Sequence, residues 1–133
     1  MTAERLLVLI LRLSAVILLA ATFAVFLPFS WMNAGHEALG LGPLPDIPLV
    51  HYLNRSIAAL YAAFGAFTWI IAGDVRRFRP LVVFWGWFHV VFGAAVLGID
   101  LHAGMPWFWT AAEGPTLIAA GLLVLVLLRR VRD

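Results

Sequence analysis

Residues 6–27 read LLVLILRLSAVILLAATFAVFL, a run of 22 positions with one charge, Arg12, closed by Pro28. A hydrocarbon layer about 30 Å thick is crossed by roughly 20 apolar residues in a helix. Proline cannot continue a helix, because it lacks the N–H and its ring meets the preceding turn. The run therefore predicts a transmembrane helix over Leu6–Leu27. Three further stretches have the same character: His51–Ala72, Pro80–Ile99 and Pro106–Leu128, ended respectively by Gly73-Asp74, by Asp100 and by Arg129-Arg130. Pro80 and Pro106 stand at helix starts, where a missing N–H does no harm. None of the runs alternates with period two, and each is about twice the length of a membrane-spanning strand.

The whole chain agrees with this reading. Of its 133 residues 64% are hydrophobic and 12% are charged, and the mean hydropathy is +1.00. Soluble domains are about half apolar and about a quarter charged, and a chain this short has too little interior to hide the excess. Disorder demands the opposite composition. With no cysteine there is no disulfide, thiolate nucleophile, iron–sulfur cluster or zinc–thiolate site. The sequence pI of 9.9 does not point to nucleic acid: the net charge is only +2, and the cations flank the apolar runs.

All nine basic residues are arginine. Arg5 precedes the first run, Arg76, Arg77 and Arg79 separate the second and third, and Arg129, Arg130 and Arg132 follow the fourth. The other connections, residues 28–50 and 100–105, carry none. By the positive-inside rule the arginine-rich side is cytoplasmic. The expectation is an all-α membrane protein: an antiparallel four-transmembrane-helix bundle over residues 1–133, both termini cytoplasmic, in a bacterial inner membrane. Arg12 lies about 9 Å into the first run at 1.5 Å per residue and is expected to snorkel to the inner surface. Because Arg12 interrupts the apolar run, cleavage of residues 1–24 as a signal peptide is not expected.

Helices in lipid associate through small residues that let backbones approach. Ala58, Ala59, Ala62, Ala63, Gly65 and Ala66 in the second run, and Gly86, Gly93, Ala94 and Gly98 in the third, are the expected seams. The outer connection 28–50 predicts a short amphipathic helix over Ser30–Leu41, capped by Ser30, lying on the bundle mouth, and then an extended Gly-Pro-Leu-Pro-Asp-Ile-Pro strap.

Ionisable residues inside a membrane are costly and are functional candidates by default. The outer half holds His36, Glu37, Asp46, His51, Asn54, Arg55, Asp100, His102 and Glu113, with Arg55 its one cation. Arg55 lies about 6 Å into the second run and Glu113 about 10 Å into the fourth. An arginine at that depth calls for a carboxylate, so an Arg55–Glu113 contact is expected, with Asp100 as second partner or competitor. Such a pair either locks the bundle or builds an outward-facing polar pocket, with Asn54, His51 and His102 at its edge, for a small or lipid-like ligand. Pro115, after Glu113, predicts a kink in the fourth run. His36, His51 and His102 are the candidates for a metal or haem, although their spacing matches no ligand motif. His89 sits at mid-membrane, level with Tyr61 and Thr116, either as a hydrogen-bonded structural histidine or as a proton carrier.

Arg55-Ser56 at the start of the second run, Asp100 with Gly104-Met105-Pro106, and Glu113 together give the chain a resemblance to a family. It resembles the small four-helix bacterial membrane proteins around the DoxX-like superfamily, in particular a related family of unassigned function. It differs in carrying His102 within the Asp100–Pro106 connection. The resemblance implies the four-helix fold and, since some DoxX-like proteins accompany quinone-linked redox enzymes, a quinone-linked role. The leading expectation is a non-enzymatic membrane protein with a polar pocket on Arg55, Asp100 and Glu113, which binds a ligand or serves as an accessory subunit of a membrane complex or homo-oligomer. The alternatives are a metal- or haem-dependent redox protein that uses the outer histidines, and a proton-coupled transporter that uses His89 and Glu113. No particular cofactor is implied.

Overall fold

The computed structural model describes residues 2–131; Arg132 lies outside them. Among the described residues there is no strand, and the helices are α1 (Ala3–Phe26), α2 (Phe29–Ala38), α3 (Pro48–Ile71), α4 (Arg79–Ala103), α5 (Trp107–Ala112) and α6 (Gly114–Arg130). The last two are one helix broken at Glu113. Among the described residues, three helices are long and apolar enough to cross a membrane: Ala3–Phe26, Arg79–Ala103 and Trp107–Arg130. The 24 residues of α3 give it the length. His51, Asn54, Arg55 and Ser56 crowd its N-terminal third and lower its apolar character.

Several boundaries differ from expectation for identifiable reasons. Asp100 does not end the third run, because an aspartate inside a helix costs only about 0.7 kcal/mol relative to alanine. The helix runs on to Ala103 and takes His102 with it. Gly104 stops it in the left-handed conformation (φ 69°, ψ 35°), and the Gly104 and Met105 N–H groups both donate to the Asp100 carbonyl. In α2 the capping position is Pro28 rather than Ser30, and no side chain caps it; the N–H groups of Trp31 and Met32 close instead on the Pro28 carbonyl. This helix buries none of its residues. The expected interruption of the fourth run is present. Glu113 adopts φ −83°, ψ −75°, and Pro115 falls in the first turn of α6.

The chain divides into two compact units, Met1–Leu11 with Ile70–Asp133, and Arg12–Trp69. In the first, α4 and α6 pack along their lengths. The buried residues of α4 are Val82, Trp85, Gly86, His89, Gly93, Val96 and Asp100, one stripe with alternating four- and three-residue steps. Facing it, α6 buries Gly114, Gly121, Val124, Leu127 and Leu128. Glycines meet at two levels. A Cβ on Gly121 would lie 2.5 Å from the Gly86 carbonyl oxygen, and one on Gly93 would lie 2.8 Å from the Gly114 carbonyl oxygen. Pairing 86 with 121 and 93 with 114 makes the helices antiparallel and fixes their register. Gly98, expected in this seam, has nothing within 4 Å of a Cβ placed on it. Gly114 and Gly121 of α6, outside the expected seams, complete this one. At the arginine-rich end, Arg76 grips Glu4 with two hydrogen bonds, Nε to Oε1 at 3.1 Å and Nη2 to Oε2 at 2.7 Å.

In the unit Arg12–Trp69, Gly65 of α3 approaches α1: a Cβ there would lie 2.8 Å from the Leu19 amide nitrogen and 3.1 Å from the Ala15 carbonyl oxygen. Ala58 and Gly65 are buried and Ala62 is half-buried, while Ala59, Ala63 and Ala66 are exposed, so half of the expected small residues face the seam. Arg12 is held rather than simply snorkelling. Its guanidinium lies 3.8 Å from the Trp69 ring centroid, and its Nη1 is buried with no hydrogen-bond partner among the described residues. A desolvated cation over a tryptophan face is worth about 2 kcal/mol.

Candidate functional site

The α4 stripe that packs the helix also positions the chemistry. Position 100 continues the series 82, 86, 89, 93 and 96, so Asp100 is carried into the buried face by the same periodicity that buries Val96 and Gly93. It is 5% exposed, and its Oδ2 is buried with no hydrogen-bond partner among the described residues. A buried carboxylate without a partner costs several kcal/mol unless a donor or cation meets it.

Glu113 is fixed by the helix break. Its N–H donates to the Trp109 carbonyl (3.0 Å) and its carbonyl accepts from the Leu117 N–H (3.2 Å). Its half-buried side chain accepts a 2.6 Å hydrogen bond from the Trp109 indole Nε1–H. The carboxylate also stands at the N-terminus of α6, where the helix dipole favours negative charge. The glycine register places Glu113 level with Ala94 and Asp100 level with Trp107, about 9 Å further along the α4 axis at 1.5 Å per residue. The two carboxylates therefore mark two heights on one end of the α4–α6 pair.

His89, three turns from Asp100 on the same stripe, is buried. Its ring stacks on Trp85 at 3.6 Å, and its Nδ1–H donates to the Trp85 carbonyl at 2.9 Å. Stacking and hydrogen bond both fall within α4, an arrangement that fits a packing role. Thr116 is exposed.

In the unit Arg12–Trp69, polar side chains organise the outer segment. The His36 Nδ1–H donates to the Gly42 carbonyl (2.7 Å), and the Leu44 N–H donates to Asn33 Oδ1 (2.7 Å). His51 Nε2 pairs with Asp46 Oδ1 at 2.7 Å, and its ring lies 4.5 Å from that of Phe29. These contacts tie α2, the proline strap and the start of α3 together. Asn54 is half-buried, while Arg55 and Tyr61 are exposed. Among the described residues of this unit, Arg55 makes no ion pair.

The outer histidines are thus occupied by local structure, except His102, which is exposed on the last turn of α4. Among the described residues no three histidine, aspartate or glutamate side chains converge as metal ligands. Two contacts were not expected from the sequence, the Arg12–Trp69 stack and the Trp109–Glu113 bond. The i, i+4 spacing of Trp109 and Glu113 was the available signal for the second.

Compared with family models, with curated proteins and with solved structures, the chain matches none.

Proposed function

We propose that the protein crosses the bacterial inner membrane four times, with both termini cytoplasmic, and binds a small or lipid-like amphiphile through Asp100 and Glu113 on its outward half without transforming it. The arginine distribution supports the orientation. The length of α3 supports the fourth crossing.

One observation carries the binding role: the buried Oδ2 of Asp100, unpartnered among the described residues. A side chain kept for packing alone is better apolar, since replacing buried charge by hydrophobic groups of similar volume is often neutral or stabilising. A carboxylate retained there fits a ligand whose polar end supplies a hydrogen-bond donor.

The test is thermal unfolding of the purified protein with dodecanol, monododecanoylglycerol and a short-chain quinol, each of which carries a hydroxyl donor, the last chosen for the DoxX-like resemblance. At about 100 times its dissociation constant a specific ligand stabilises by about 2.7 kcal/mol. Wild type is expected to respond to one of the three, and Asp100→Leu to insert normally without responding. Failure of all three to shift the wild type, or an undiminished shift in Asp100→Leu, refutes the reading.

A further inference from the structure

At the opposite end of the α4–α6 pair, Arg79, Val83, Trp87, Leu125, Leu128 and Arg129 line a groove of about 160 Å³. We propose that this groove binds an anionic phospholipid from the leaflet on the arginine-rich side.

The sequence spacing explains its shape. Arg79, Val83 and Trp87 follow one another at four-residue steps on α4, while Leu125, Leu128 and Arg129 occupy one face of the last two turns of α6. Because the helices run antiparallel in the glycine-set register, the two arginines stand at the same end of the groove. Its apolar walls extend from there toward the membrane interior. From Arg79 to Trp87 is about 12 Å at helical rise, enough for the upper part of an acyl chain. Val83 and Trp87 are exposed on this face.

The charge is one-sided. Among the described residues no acidic side chain lines the groove, so there an ammonium headgroup finds no partner while a phosphodiester meets two guanidinium groups. The helix ends add to this. The first turn of α4 contains no acid, and no side chain caps it, so Arg79 sits on the positive end of the helix dipole. A bound phosphate relieves that like-charge arrangement. Arg79 is oriented by the hydrogen bond from its Nη1 to the Val131 carbonyl at 3.1 Å. A planar guanidinium held in this way presents its fork for bidentate phosphate binding. Basic recesses between transmembrane helices on the cytoplasmic side are established lipid-headgroup sites. The groove shares no residue with the proposed site at Asp100, and its fate is independent of that reading.

Tryptophan quenching by bromine-labelled lipid tests the proposal in vesicles that contain the full chain. Dibrominated phosphatidylglycerol is expected to quench more strongly than dibrominated phosphatidylcholine at equal mole fraction, and Trp87→Phe to remove the excess. Each of Arg79→Gln and Arg129→Gln is expected to weaken the preference for phosphatidylglycerol about fivefold, the equivalent of about 1 kcal/mol per arginine near the surface. Arg129→Gln leaves the Arg79–Val131 bond in place, so its effect cannot come from lost structure there. Inorganic phosphate at the same concentration is expected not to compete. Equal quenching by the two lipids, full preference in the double arginine variant, or displacement by inorganic phosphate would overturn the assignment.

Discussion

Two glycine-to-alanine substitutions on the α4–α6 pair should move stability in opposite directions, although the chemical change is identical. In Gly121→Ala the new Cβ falls 2.5 Å from the Gly86 carbonyl oxygen and 3.0 Å from the Val90 amide nitrogen. That is about 0.9 Å inside ordinary contact with the first. Both obstacles are backbone, so no side chain can turn away and the helices must separate. Overpacking of this kind costs about 1–3 kcal/mol, against a gain of about 1 kcal/mol from replacing glycine within a helix. The net expectation is a loss of up to about 2 kcal/mol. In Gly98→Ala the Cβ meets nothing within 4 Å, and the helix gain of up to about 1 kcal/mol remains. Gly86→Ala should lie between them, because its nearest obstacle is the Leu125 side chain at 2.6 Å, which can change rotamer. The assay is reversible unfolding in mixed dodecyl sulfate–maltoside micelles, followed by far-ultraviolet circular dichroism. Equal stabilities for Gly121→Ala and Gly98→Ala would refute the register of the seam and the positions of Glu113 and Asp100 derived from it.

Other consequences are open to the same apparatus. Trp69→Leu removes the face under Arg12 and is expected to destabilise by about 1–2 kcal/mol, with Trp69→Phe losing less because a smaller aromatic face remains. Gly104→Ala places a Cβ in the left-handed region that ends α4 and is expected to cost about 1–2 kcal/mol in the same unfolding titration. The absence of cysteine makes topology directly measurable. In intact cells a membrane-impermeant maleimide is expected to label Pro43→Cys and not Thr2→Cys; the reverse pattern would invert the proposed orientation.

The apolar runs were legible because a membrane span depends on a simple sum, the hydrophobicity of about 20 consecutive residues. Their ends were less so. Asp100 reads as a stop in sequence, yet one unfavourable side chain does not outweigh a continuing helix, and the stop came from the backbone freedom of Gly104. Glycine content alone did not show the seam. Gly86 and Gly93 qualify because glycines of α6 lie opposite them at the same seven-residue spacing, whereas Gly98 is equally small and faces open space. Asp100 and Glu113 stood out by charge within apolar sequence. What the sequence could not supply was the fate of each carboxylate: the Trp109 indole takes one, while no partner among the described residues meets the buried oxygen of the other. The outer histidines looked alike as letters, but His36 and His51 bind a carbonyl and a carboxylate of the strap, and His102 lies exposed at the end of α4.

The most direct test of a binding role for Asp100 is to compare Asp100→Leu with the wild type, with and without the stabilising amphiphile. If the carboxylate is kept for a ligand, the substitution removes an unpartnered buried charge. The unliganded variant should then equal or exceed wild type in stability, by up to about 3 kcal/mol, while its response to the amphiphile disappears. Destabilisation of the unliganded variant, or a ligand response equal to that of wild type, would contradict the account.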